Sequence, residues 1–323
     1  MDESRPCSRR AFLRRSATRV AQLGALSAGA PLWMPDAWAN RLSAAQERFP
    51  VVASEPWGRL FRLGDGVWSL VSDPSGDRRT LCNGGIVAGR NGVVIIESFA
   101  SDAGFEWVAE QARLLTGRDP THVVLSHYHG DHTGGLAAVG RSDAELMATP
   151  VTRDYARSNR GAPNAVLNRA TPLDTIRPTE IDLGDRSLIL VPRRGHTDSD
   201  LTVEISDPSV VFCGDLVWNQ MFPNYMDATP SRLGQAVTLI RASQAGVYVP
   251  GHGPLADGPA LEAYLQLLLH VEAAAMEAVQ AGITAEEAGA AYTLPEGFEE
   301  WTTFGDDYFT RAIRAWMEET ARP

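Results

Sequence analysis

The sequence predicts an α/β fold in which two sheets pack face to face with helices outside. Three observations predict it. Short β-rich runs alternate with helical stretches twice along the chain. Each half ends in helix. The 323 residues are 44% hydrophobic and 21% charged, a mix that suits a sizeable core.

The first 39 residues read as an address. Ser8-Arg9-Arg10-Ala11-Phe12-Leu13-Arg14 resembles the twin-arginine export motif. An apolar stretch from Ala17 to Met34 follows, broken by Arg19, Gly24, Gly29 and Pro31. Ala37-Trp38-Ala39 then offers a small-x-small cleavage site before Asn40, with Ala28-Gly29-Ala30 as the lesser candidate. The stretch is too short and interrupted to span a bilayer stably, and no Cys at either cut suggests a lipid anchor. The expectation is a periplasmic or secreted protein, handled by the twin-arginine machinery. Residues 40–323 are expected to form one domain.

Residues 41–58 read as an irregular lead-in around Pro50 and Pro56. Leu60–Leu63, Val67–Leu70, Leu81–Ala88 and Val93–Glu97 read as strands, parted by Gly64-Asp65-Gly66 and Arg90-Asn91-Gly92. Asp102–Leu115 is an amphipathic helix, because Phe105, Val108, Ala112 and Leu115 recur at helical spacing and Gly117 ends it. Thr121–Leu125 is an apolar strand, and a short helix starts near Asp131. Residues 150–178 are polar and Arg-rich, expected as surface helix and loop. Glu180–Leu183, Ser187–Val191, Leu201–Ile205 and Val210–Cys213 are four more strands. A helix over 231–245, a short strand Val247–Val249, and helices Glu262–Glu277 and Asp306–Thr320 complete the chain.

Charge and composition exclude several functions. Every basic residue is Arg. Schiff-base, P-loop and Ser-Lys chemistries are therefore excluded. The leader contributes +3 to the net charge of -11, leaving -14 for the rest. Such a body repels nucleic acid and anionic lipid at long range, so a small-molecule substrate is expected, with room for a local basic pocket. Cys82 and Cys213 form no disulfide framework and read as buried, reduced thiols.

The chemistry lies in the histidines. Three of the seven fall in His127-Tyr128-His129-Gly130-Asp131-His132, with Asp131 among them. Imidazole and carboxylate suit zinc and iron. On an extended loop His127 and His129 point the same way and grip one metal together. Asp131 and His132 follow a turn and face a second. His196, Asp215 and His252 each sit where a strand gives way to a Gly-containing loop, so they can converge on the same edge. His122 and His270 read as structural, and Ser126 as a hydrogen-bonding residue rather than a nucleophile.

With these motifs the chain resembles the metallo-β-lactamase-fold hydrolase superfamily over about residues 60–255. The resemblance implies a four-layer αβ/βα sandwich. It implies that His127, His129 and His196 bind one metal, Asp131, His132 and His252 a second, and that Asp215 bridges them. Two zinc ions are implied, with iron or manganese as substitutes. The bridging Asp is that of the glyoxalase II-like and lactonase-like branches; the best-known zinc β-lactamases use a Cys ligand instead. A second departure is Glu97, where relatives usually carry Asp, and it is a candidate support for a metal ligand.

The expected activity is hydrolysis of an ester, lactone, thioester or amide by water acidified between two metals. Asp131 is expected both to ligate metal and to shuttle a proton. Trp218, Phe222 and Tyr225, just after Asp215, are expected substrate contacts. Asp227 is expected to pair with an Arg. The alternatives are a zinc β-lactamase and a metal-binding redox or accessory protein of a periplasmic system.

Overall fold

Thirteen strands in two sheets make up the centre of the structure, a computed structural model that describes residues 44–75, 77–159 and 163–322. The twin-arginine motif and both cleavage sites lie outside the described residues.

The first sheet runs in chain order: β1 (Val51–Glu55), β2 (Gly58–Gly64), β3 (Val67–Ser72), β4 (Gly84–Ala88), β5 (Val93–Ile96), β6 (His122–Val124), β7 (Glu145–Ala148) and β8 (Thr171–Pro172). It is antiparallel up to β5 and parallel from β5 to β8. The second sheet is ordered β13 (Val247–His252), β12 (Val210–Trp218), β11 (Leu201–Ile205), β10 (Ser187–Pro192) and β9 (Thr179–Asp182). Only β12 and β13 pair in parallel there.

Burial follows the layering. In β10 Leu188 and Leu190 are buried while Ser187, Ile189 and Val191 are not, the period-two signature of a strand with one open face. β4 and β5 are buried throughout, as strands covered on both faces must be. Phe61, Val94, Ile96, Val124, Leu188, Leu190, Val203 and Phe212 fill the space between the sheets. Each such side chain contributes roughly 1.5–3 kcal/mol before ordering entropy is subtracted.

After α1 (Ala44–Glu47), the helices are α2 (Asp102–Thr116), α3 (Gly130–Thr133), α4 (Leu136–Arg141), α5 (Pro150–Asn159), α6 (Asn164–Arg169), α7 (Pro230–Ala242), α8 (Gly258–Ala281), α9 (Ala285–Ala291) and α10 (Tyr308–Thr320). α2, α4 and α6 share one apolar cluster with β4 to β7. α7 to α10 share another with β12 and β13. The result is helix, sheet, sheet, helix. α2 starts where Ser101 accepts from the Gly104 N–H at 3.1 Å and ends at Gly117 in the left-handed region.

Several boundaries differ from expectation. The lead-in contains β1, an exposed edge strand between the two prolines. The strand expected from Leu81 begins at Gly84, because Leu81 has φ +63° and the chain turns there. Residues 150–178 are not only surface: α6 buries Val166 and Leu167, and β8 closes the sheet edge. β7, α4 and α9 carry patterns too short to stand out. β12 continues past Cys213 to Trp218, through a register shift at Gly214.

Candidate metal centre

The seven candidate ligands come from separate loops and strands and meet at one end of the sandwich. β6 ends at Val124, and the chain bends at Ser126 and His127 before His129, whose backbone is extended. His129 is the N-cap of the one-turn helix α3, which redirects the chain so that Asp131 and His132 leave at a new angle. Gly214, at φ +53°, lets β12 bulge beside Ser126 and then resume with Asp215. Gly251 is fixed by packing: a Cβ there would lie 1.9 Å from Asp215 Oδ1. Only glycine lets the chain carrying His252 approach that closely.

Distances divide the cluster in two. His127, His129, His196 and Asp215 form one group, and Asp131, His132 and His252 a second; within each, the donor atoms lie within 4.8 Å of one another. Asp215 touches both. Its Oδ2 faces His196 Nε2 at 3.3 Å and His127 Nε2 at 3.9 Å. Its Oδ1 faces His132 Nε2 at 3.0 Å and His252 Nε2 at 3.3 Å. Asp131 Oδ2 lies 3.1 Å from His252 Nε2 and 3.7 Å from His132 Nε2.

These atoms fit cations better than they fit one another. His127 Nε2, His132 Nε2, His252 Nε2 and Asp215 Oδ1 are buried and make no hydrogen bond of good geometry. Buried polar atoms rarely go unpaired. Here they converge, and their chemistry is that of zinc or iron ligands.

Several of the outward-facing nitrogens have their own partners. His127 Nδ1 is 3.0 Å from Ser126 Oγ. His129 Nε2 is 2.9 Å from Asp227 Oδ2. A carboxylate only accepts, so that nitrogen carries the hydrogen and Nδ1 presents a lone pair, 2.9 Å from His196 Nε2. His132 Nδ1 lies 3.2 Å from Glu97 Oε1 as a buried ion-pair contact. Glu97 reaches it from φ +77°, just beyond β5, and its Oε2 accepts from the Ser126 N–H at 3.3 Å. Cys82 Sγ donates to the Asp131 carbonyl at 3.0 Å.

Protonation follows from these surroundings. Burial, helped by neighbouring imidazoles, lowers His127 well below its ordinary value and takes His196 to about 3. Burial would also lower His132 and His252. There it is outweighed, by Asp215, Glu97 and Asp131 around His132, and by Asp215 and Asp131 around His252, which rises to about 9. The same histidines overcome burial to hold Asp131 and Asp215 below the usual carboxylate range.

Beside the cluster lies a cavity of about 740 Å³, lined by His129, Asp131, Asp215 and His252 and walled by Trp218, Met226, Phe304 and Tyr308. Trp218 packs 4.1 Å from the His252 ring and donates Nε1–H to the Asp215 carbonyl at 3.1 Å. Phe222 and Tyr225, expected beside the substrate, pack into the core instead, Phe222 at 4.8 Å from Phe309. Asp227, expected to pair with an Arg, is braced against His129 instead. Phe304 and Tyr308 escaped the sequence reading because no motif marks them. His122 contacts Thr121 and Glu145, and His270 contacts Tyr292, both outside the cluster.

The profile of the Metallo-beta-lactamase superfamily matches residues 77–252. The Metallo-beta-lactamase type 2 of Bacillus cereus is 23% identical over 193 residues, 58% of this chain and 72% of the relative. A hydroxyacylglutathione hydrolase of Shewanella loihica is 23% identical over 131 residues, 40% of this chain and 46% of the relative. Among solved structures, the metallo-beta-lactamase FIM-1 of Pseudomonas aeruginosa, in its mono-zinc form, superposes with a TM-score of 0.55 at 21% identity, covering 66% of this chain and 95% of its own.

Proposed function

The chain belongs to the metallo-beta-lactamase superfamily of metal-dependent hydrolases, and within it we propose an exported two-metal hydrolase of an ester, lactone, thioester or amide. The observation that carries this reading is Asp215. Its two oxygens each face a different histidine group, as a carboxylate shared by two cations would.

His127, His129, His196 and Asp215 Oδ2 would hold one cation; Asp131, His132, His252 and Asp215 Oδ1 the other. Two cations so held supply Lewis acidity and a water acidified toward neutral pH. The chain's own groups do the rest. Asp131 is 20% exposed against 3% for Asp215, so it is the better placed carboxylate to take a proton and pass it to a leaving group. Asp227 fixes the tautomer and orientation of His129, and Glu97 backs His132 with a buried charge. Trp218 packs against the His252 ring and bounds the cavity.

The likeness to a B. cereus β-lactamase favours a second reading, β-lactam hydrolysis. Cys213 argues against it. Its thiol is fully buried in the outer core, 3.5 Å from the Val211 carbonyl, and supplies nothing to the cluster. Metal analysis followed by a panel of lactones, thioesters, carboxylic and phosphate esters and nitrocefin separates the readings. Two metal equivalents and turnover of an ester, lactone or thioester are expected, abolished by chelation. Turnover confined to nitrocefin would favour the β-lactamase, and none at all by the two-metal protein would sink the hydrolase. Export rests on the leader alone: replacing Arg9 and Arg10 with Gln should keep the protein out of the periplasmic fraction, and unchanged export would refute it.

A further inference from the structure

The cavity beside the metal cluster has one arginine on its lining, Arg78. The carboxylates on the same lining are Asp102, Asp131 and Asp215. Arg78 pairs with none of them and has no hydrogen-bond or ion-pair partner among the described residues. The acids near it are occupied. Asp102 accepts from the Ala138 N–H at 2.9 Å and from Arg141 at 3.1 Å. Asp77 holds Arg79 at 2.7 Å.

The backbone at Arg78 is held in the left-handed region, φ +61°, which non-glycine residues rarely adopt. Its neighbours keep it there. Arg79 lies 4.3 Å over the Trp57 ring, its carbonyl accepts from Ser101 Oγ at 2.9 Å, and the Thr80 carbonyl accepts from the Ala100 N–H at 3.0 Å. The loop thus presents an exposed guanidinium, unpaired among the described residues, to the cavity from a left-handed backbone position of the kind that clusters at binding sites.

The other wall is aromatic. Phe304 lies 5.3 Å from the His252 ring and 5.9 Å from Trp218, and Tyr308 lies 6.5 Å from Trp218. Both come from beyond residue 252, where the family match ends: Phe304 from the loop before α10 and Tyr308 from its first turn.

We propose that Arg78 binds a carboxylate on the substrate while Trp218, Phe304 and Tyr308 receive its apolar part, making the substrate a carboxylate-bearing molecule with an aryl or alkyl group. The fork of a guanidinium matches a carboxylate. The chain's net charge of -11 disfavours anions at long range, so any preference for one must be local.

The proposal rests on the metal-hydrolase reading of the same site. Its test is calorimetric binding of two thiols to the zinc-loaded protein: a benzyl-substituted propanethiol and its carboxylate-bearing analogue. Wild type should bind the carboxylated thiol roughly tenfold or more tightly. Arg78→Gln should bring that ratio near one, and Arg78→Lys should restore part of it. Equal affinities in wild type, a ratio that survives Arg78→Gln, or no binding of either thiol would overturn the proposal. Carboxylate-selective binding with no turnover of any panel substrate would overturn the hydrolase alone; turnover with no carboxylate selectivity would overturn the role of Arg78 alone.

Discussion

The two halves of the centre use similar side chains in different electrostatic states. In the first, burial keeps His127 and His196 neutral, so their lone pairs are free at neutral pH. In the second, the carboxylates raise His132 and His252, the latter to about 9, so both carry protons when no metal is bound. Bracing differs too. His132 is backed by Glu97, itself buried at a strand end. His129 is backed by Asp227, a third exposed on the loop before α7. One half is therefore ready for a cation and steadied from a surface loop. The other must shed protons and is steadied from the core. The difference teaches that ligand identity alone does not set how a site loads.

Replacing the residue the halves share should do the most damage. Asp215→Asn should empty both groups of metal and cut kcat/KM on the order of a thousandfold, several kcal/mol of lost stabilisation. Elemental analysis and kinetics on one preparation check this. Retention of one tightly held equivalent would show that the halves are independent.

The supporting carboxylates should separate the halves. Glu97→Gln should weaken the second equivalent by up to about a hundredfold, because the contact it alters is fully buried. Asp227→Asn should weaken the first by nearer tenfold, since water can reach that carboxylate. Competition with a chromophoric chelator reads each equivalent. Equal losses from both variants would erase the distinction drawn here.

Much of this was open to sequence reading because the ligand types are sparse and tightly spaced. His127, His129, Asp131 and His132 fall in six residues, and His196, Asp215 and His252 each adjoin a glycine near a strand end. The two-sheet layering was legible from alternating runs. Contacts set only by packing were not. Nothing local marks Asp227 as the partner of His129, almost a hundred residues away, or Phe304 as a neighbour of His252. Phe222 and Tyr225 misled because aromatic composition says nothing about which way a loop's rings turn. Glu97 stood out as a departure, but its left-handed backbone and its contact with His132 emerge only in three dimensions.

The smallest effect expected is on stability. Asp200 is buried beside His196, accepting from the Thr197 N–H at 2.8 Å and its hydroxyl at 2.6 Å. Burial lifts its carboxyl to about 7 despite these bonds. A folded-state value above the unfolded one, ~3.9, means that protonation favours folding. The share of the metal-free protein's stability that Asp200 contributes should therefore fall along a slope between about pH 4 and about pH 7 and level off above. Asp200→Asn should flatten that slope in thermal unfolding scans, and an unchanged slope would place its origin elsewhere.

The central claim, two unlike cation sites sharing Asp215, is tested most directly by titrating zinc into the metal-free protein calorimetrically at pH 7 in buffers of different ionisation enthalpy. Two equivalents are predicted, with little proton release on loading the first group and clear release from His132 and His252 on loading the second. A single equivalent, or the same proton release at both steps, would contradict the account.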